Sequence, residues 1–173
     1  MSRRAWAAVL HGVVPALRLT GLVVVASLGR TACAGAGDAP AAAYPQGATS
    51  FQVNCALCHG AAGVGVPSLA PPVLSYPVRY AASAEGRRQL AMTMLYGMFG
   101  AITVDGRQYD SRMPDFARLD DATLAATLNF VVFDLGHAPT DVSPLAADES
   151  AAERAHTIDG AAVREHRKSV VPP

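Results

Sequence analysis

Cysteine is scarce in this chain: its 173 residues hold three, Cys33, Cys55 and Cys58. A structural zinc site takes about four Cys or His ligands, usually with a second pair at short spacing. Apart from the histidine beside Cys58, the remaining ones, His11, His137, His156 and His166, stand singly. No Val/Ile-rich strand pattern surrounds the two close cysteines, so the βαβ frame of a thioredoxin-type redox pair is missing too. No segment repeats. Neither sign of charge is in excess, with 14 Lys and Arg against 14 Asp and Glu. All 14 acids lie after residue 34, whereas Arg3, Arg4, Arg18 and Arg30 lie before it, leaving ten bases against 14 acids beyond that point, a net charge of −4. This balance excludes a nucleic-acid partner, which would call for a basic face.

What the chain does have is Cys55-Ala56-Leu57-Cys58-His59. This is the C-x-x-C-H pattern of c-type haem attachment. Two thiols three positions apart on one helical turn can each add to a vinyl group of the same porphyrin. The adjacent His59 then offers a neutral imidazole as proximal iron ligand. A disulfide between Cys55 and Cys58 is sterically poor within so short a turn. The expected cofactor is one covalently bound haem c.

The segment 1–34 has the layout of a secretory signal peptide. Arg3 and Arg4 make a positive start, Leu19–Leu28 is an apolar stretch, and small residues around Ala32, Ala34 and Ala36 offer cleavage sites. Arg18 interrupts what would otherwise be a long apolar span, and a central arginine is costly in a membrane helix. Cleavage is therefore the expectation. An uncleaved inner-membrane anchor, giving membrane association through the N-terminus, is the alternative; lipid attachment at Cys33 is a weaker one, because Arg30 stands where a lipobox carries an aliphatic residue. The chain is expected to be exported to a bacterial periplasm.

Residues 35–45 are small and Pro-containing, a flexible lead-in. Residues 46–137 hold nearly all the periodic apolar pattern, and 138–173 form an Ala-, Pro- and charge-rich C-terminal tail. Within 46–137 the pattern predicts an all-α domain of three main helices. The first covers about 46–57. The second, about 83–98, starts at Ser83 as N-cap with Leu90, Met94 and Leu95 on one strip. The third, about 121–135, is capped by Asp120 or Asp121, striped by Leu124, Leu128, Val131 and Val132, and stopped by Gly136. The stretch 60–79 is broken by Pro67, Pro71, Pro72 and Pro77. A second loop, 100–119, carries a hairpin signal at Ile102–Gly106. Short helices joined by long loops make sense when a flat porphyrin supplies the missing apolar volume.

Met113 is the expected sixth ligand. It lies on a loop far downstream of His59, and Pro114 stiffens the backbone behind it. A thioether favours Fe(II), so His/Met ligation raises the reduction potential. Met92, Met94 and Met98 sit at helical spacing and read as core filler. His137, beyond a helix end, offers a bis-His alternative.

These residues resemble the mono-haem class I c-type cytochromes over about 47–136. Gly47 and Phe51, two and one helical turns before Cys55, match the Gly/aromatic pair that lets the first helix of that family cross the last; the matching positions would lie near Leu128 and Phe130. The resemblance implies that Pro71, in the Pro-rich stretch after His59, offers its carbonyl to the His59 Nδ1–H. The run from Gly100 through Tyr109, Met113-Pro114 and Phe116 to Leu119 is similar to the methionine loop of cytochrome subunits serving periplasmic oxidases, reductases and dehydrogenases. Residues 138–173 depart from the minimal fold.

The reading is a small all-α protein that carries one electron between redox protein partners and transforms no substrate. An electron-entry subunit permanently docked on a dehydrogenase or reductase is the alternative, and a haem sensor or weak peroxidase a further one. Arg79, Arg87, Arg88, Arg107 and Arg112 lie between His59 and the methionine loop, with many acids in the tail. That distribution predicts a basic docking face and an acidic partner.

Overall fold

A computed structural model describes residues 41–170. The expected signal segment 1–34, with Cys33, and most of the expected lead-in lie outside the described residues. The helices are α1 (Pro45–Asn54), α2 (Ala56–His59), α3 (Tyr76–Ala81), α4 (Ala84–Tyr96), α5 (Asp121–Asn129), α6 (Ala147–Arg154) and α7 (Gly160–Val170). Between α4 and α5 lies one antiparallel ribbon, β1 (Ile102–Val104) with β2 (Arg107–Tyr109), in the register Ile102 to Tyr109. The architecture is all-α, as the pattern predicts, with the hairpin where Asp105-Gly106 signals it.

The starts of α4 and α5 have local causes. Ser83 Oγ accepts from Gly86 N at 3.1 Å, and Asp120 Oδ1 accepts from Thr123 N at 2.6 Å. Each satisfies an N–H that the first helical turn leaves unpaired. Of the two candidate caps on α5, Asp120 is therefore the one used.

The expected first helix, 46–57, is two helices. Cys55 has φ −120° and ψ −34°, outside the helical run, and α2 begins after it. The expected third helix, 121–135, is α-helical to Asn129 and continues as a π-helical turn over Phe130–Leu135. α1 crosses α5 at close range. A Cβ at Gly47 would stand 2.0 Å from Ala126 O and 2.8 Å from Phe130 Cβ. Only glycine has room there, and Ala126, rather than Leu128, is what it meets. One turn on, the Phe51 and Phe130 rings pack tilted with centroids 5.5 Å apart. Ser50 and Thr127 hydroxyls bond at 2.7 Å inside the same crossing. At the helix entry the Asp134 carboxylate accepts Ala43 N at 2.7 Å and Tyr44 N at 2.9 Å, so the end of the lead-in is tied down.

Residues 138–170 are not a tail but a folded part of the domain, α6 and α7 both packing on α4 and α6 also on α5. Their composition hid this, because charge pairs rather than an apolar stripe hold α6. Arg87 on α4 grips the Glu149 carboxylate with both arms, at 2.6 and 2.7 Å, and donates to Ser143 O and Pro144 O. Arg88 bonds Glu153 at 3.0 Å, and Arg154 bonds Asp121 at 2.6 Å and the Leu119 carbonyl. Asn129 holds Leu145 through both main-chain groups. Leu145 and Val163 are the buried apolar anchors.

Candidate functional site

α1 and α2 deliver the two thiols and the imidazole. Cys55 N donates to Phe51 O at 2.8 Å, and His59 N donates to Cys55 O at 2.9 Å, so Cys55 is the hinge of the pair. Cys55 is buried, Cys58 is half-buried, and neither is in a disulfide. Burial, then the neighbouring Cys58, pushes the Cys55 thiol up to about 11, with Arg118 opposing. At neutral pH it is a thiol.

His59 Nδ1 lies 2.9 Å from the Pro71 carbonyl oxygen. A carbonyl can only accept, so Nδ1 carries the proton and Nε2 presents its lone pair. Burial lowers the His59 pKa, and the Pro71 carbonyl works against that. The imidazole is thus held neutral and in one tautomer.

Two adjoining cavities share Cys55, His59, Tyr76, Met98 and Met113 in their walls. Cys58 and Pro71 line the larger one, beside Tyr109, Pro114 and Phe116; Phe51, Tyr80, Leu90, Leu128 and Val131 line the smaller. The structure therefore brings together all five residues singled out from the sequence: Cys55, Cys58, His59, Pro71 and Met113. His137, the residue of the bis-His alternative, is exposed and lines neither cavity.

The methionine loop is held from behind by α4. Met98 N donates to Met113 O at 3.1 Å, Met113 N donates to Met98 O at 2.8 Å, and Phe116 N donates to Met94 O at 2.8 Å. Gly97 makes this approach possible. Its φ is +66°, and a Cβ there would lie 2.3 Å from Met113 O. Its role was missed from the sequence, although a glycine ending a helical run just before a loop is a readable signal. Met98 is a correction as well. It is not core filler but lines both cavities beside Met113.

Two arginines frame the opening. Arg118 donates to Asn54 Oδ1 at 2.5 Å and lies over the Phe116 ring, and Arg112 lies over Phe99. Leu57, between the two thiols in sequence, is 91% exposed, and Val53 77%. An exposed apolar surface thus adjoins the attachment turn.

The donor set suits a haem: two thiols on neighbouring turns, a neutral imidazole with Nε2 free, and thioethers in the same walls. Apolar and aromatic residues make up most of the remaining lining. Comparison with known proteins points the same way. A family profile described as cytochrome c matches residues 45–132, just over half of the chain. A cytochrome c-552 from Thermus thermophilus is 34% identical over 119 residues, covering 68% of this chain and 91% of that protein. Another cytochrome c-552, from a named strain of the same species, is 34% identical over 119 residues, which is 68% of this chain and 80% of its own length.

Proposed function

Because this chain belongs to the cytochrome c family, an electron-transfer protein with one covalent haem c, we propose that Cys55 and Cys58 form the two thioether bonds, that His59 Nε2 and the Met113 sulfur are the axial ligands, and that its electrons pass between redox proteins of the periplasm. The bound haem supplies a one-electron Fe(III)/Fe(II) couple. The chain's own residues do the rest. Pro71 holds the imidazole proton on Nδ1 and keeps Nε2 directed to the iron. Met98 and Gly97 hold the Met113 backbone. The apolar walls exclude water, which favours the less charged reduced form.

The observation that carries this reading is the shared cavity wall. His59 and Met113, far apart in the chain, line the same two cavities with Cys55. A six-coordinate His/Met iron leaves no open position for a diatomic ligand or peroxide, so electron transfer is the reading it supports. Acid–acetone extraction tests the attachment: haem stays with the wild-type protein and is lost, or never retained, in the Cys55→Ala/Cys58→Ala double variant. Non-extractable haem in the double variant overturns the assignment.

A further inference from the structure

Helix α7 brings one cation to the cavity, and nothing described so far uses it. Arg167 lines the smaller cavity together with Cys55, His59, Tyr76 and Met113. A guanidinium presents five N–H donors in a planar fork. Among the described residues it makes one hydrogen bond, from Nη2 to Thr103 O at 3.3 Å. Nε is buried without a hydrogen-bond partner. The guanidinium carbon is 6.0 Å from the Tyr76 ring centroid, at the outer limit of a cation–π contact. No carboxylate pairs with Arg167 among the described residues, whereas Arg87, Arg88, Arg154 and Arg164 each have one.

A half-buried guanidinium in a cavity wall, with its Nε buried and unpaired, calls for an acceptor. The haem expected there carries two carboxylates, and the fork of an arginine fits a carboxylate through two parallel N–H···O bonds. Tyr76 adds a second donor. It lines both cavities, and its hydroxyl has no hydrogen-bond partner among the described residues. Burial pushes this phenol up to about 12, with Arg167 pulling the other way, so it keeps its proton.

We propose that Arg167, with Tyr76 beside it, holds a haem propionate. This deepens the haem assignment above and rests on it. The C-terminal helix then becomes a positioning part of the cofactor site. Two effects follow. The cation neutralises a propionate close to the iron, which favours Fe(II) and raises the reduction potential. The propionate in turn fastens α7 to the cavity, where Gln89 also meets it: Gln89 Nε2 donates to Val163 O at 3.3 Å, and Gln89 Oε1 lies 2.6 Å from His166 Nδ1.

The test compares wild-type holoprotein with Arg167→Gln, Arg167→Lys and a control, Arg164→Gln, on the same helix but outside both cavity walls. Resonance Raman reads the propionate bending modes, and voltammetry reads the midpoint potential. Arg167→Gln should shift the bending band and lower the midpoint. Arg167→Lys should restore most of the potential but not the band, because it keeps the charge and loses the fork. Arg164→Gln should move neither. An unshifted band in both Arg167 variants overturns the proposal, as does an equal shift in the Arg164 control. Should Arg167→Gln fail to fold, an unchanged band in Arg167→Lys is enough to overturn it. Wild-type haem that extracts into acid–acetone refutes the attachment reading instead, and the Raman comparison still decides Arg167.

Discussion

Met98 and Met113 exchange two main-chain hydrogen bonds, 3.1 and 2.8 Å, across an isolated antiparallel bridge. The bridge sets where the Met113 side chain starts, and Gly97 is what allows the two segments to come so near. A Cβ at position 97 would lie 2.3 Å from Met113 O and 2.8 Å from the Pro114 carbonyl carbon. Both are backbone atoms, which cannot rotate away. Gly97→Ala should therefore displace the methionine loop while keeping the haem covalently attached. The expected readout is loss or weakening of the far-red band of thioether-bound Fe(III), with a lower midpoint potential. An unchanged band would mean the loop absorbs the methyl group elsewhere.

The two methionines can be told apart by substitution. Met113→His should keep a six-coordinate iron and lower the potential, because imidazole supports Fe(III) better than a thioether does. Met113→Ala should open the iron to azide or CO. Met98→Leu should leave the far-red band in place. If Met98→Leu removed the band and Met113→Ala kept it, the axial assignment would pass to Met98.

Phe51 is 1% exposed and packs tilted against Phe130, just past the end of α5, where α1 crosses. Phe51→Ala should destabilise the protein by roughly 3–5 kcal/mol, the usual cost of an aromatic-to-alanine change in a core. Neither proposed iron ligand is altered, so the absorption spectrum of the folded holoprotein should not change. Denaturant titration measures the loss, and a value below about 1 kcal/mol would show that the crossing does not depend on this ring.

How far the sequence could be read depended on how local the cause was. Ser83 and Asp120 announce their helices because a cap acts within a single turn. The C-x-x-C-H run declares its chemistry for the same reason, since both thiols and the imidazole lie on adjacent turns. The match of Gly47 and Phe51 to a family pattern pointed to Phe130 correctly and to Ala126 only approximately. What stayed hidden was held by distant partners. α6 has no apolar stripe to betray it, and it is fixed by Glu149 to Arg87 and by Arg154 to Asp121, 62 and 33 residues apart. Met98 read as filler because helical spacing cannot say which side of a helix end faces a cavity. Arg167 was invisible because α7 reaches the cavity only once α4 is in place beneath it.

The Arg87–Glu149 pair should make the C-terminal helices sensitive to acid. Their exposures are 17% and 30%, and the carboxylate is gripped by both arms of the guanidinium. The Arg87 hydrogen bonds hold the Glu149 pKa below its ordinary 4.5, helped by the Ala146 N–H and opposed by burial. A depressed folded-state pKa gives stability that is fully present above 4.5 and lost as pH falls through the lowered value. Glu149→Gln should therefore destabilise the protein near neutral pH and flatten its stability profile below pH 4.5. Arg87→Met should cost roughly 3 kcal/mol, at the upper end for hydrogen bonds to a charged group. Parallel stability–pH curves for wild type and Glu149→Gln would contradict this.

The docking face is less basic than the order of residues along the chain suggests, and this changes the expected kinetics. Arg87 and Arg88, two of the five arginines assigned to that face, are paired with Glu149 and Glu153 on α6. Around the cavity mouth and its loops, Arg79, Arg107, Arg112 and Arg118 are exposed, but so are Asp105, Asp110 and Asp115. The charges nearly cancel. What stands out instead is apolar: Val53, Leu57, Val64 and Leu69 are exposed, and Leu69 lines the larger cavity. Contact through such a surface is short-ranged and insensitive to screening. As ionic strength rises from about 0.01 to about 0.15 M the Debye length shrinks from ~30 to ~8 Å. Over that interval the second-order rate with a redox protein partner should change by less than about threefold, short of the roughly 10- to 1,000-fold effects of strong steering. Leu57→Asp should slow the reaction at every ionic strength while leaving the midpoint potential in place. Stopped-flow reduction at several salt concentrations measures both. A tenfold fall in rate with salt would restore the basic face, and a Leu57→Asp variant as fast as wild type would take the apolar surface out of the encounter.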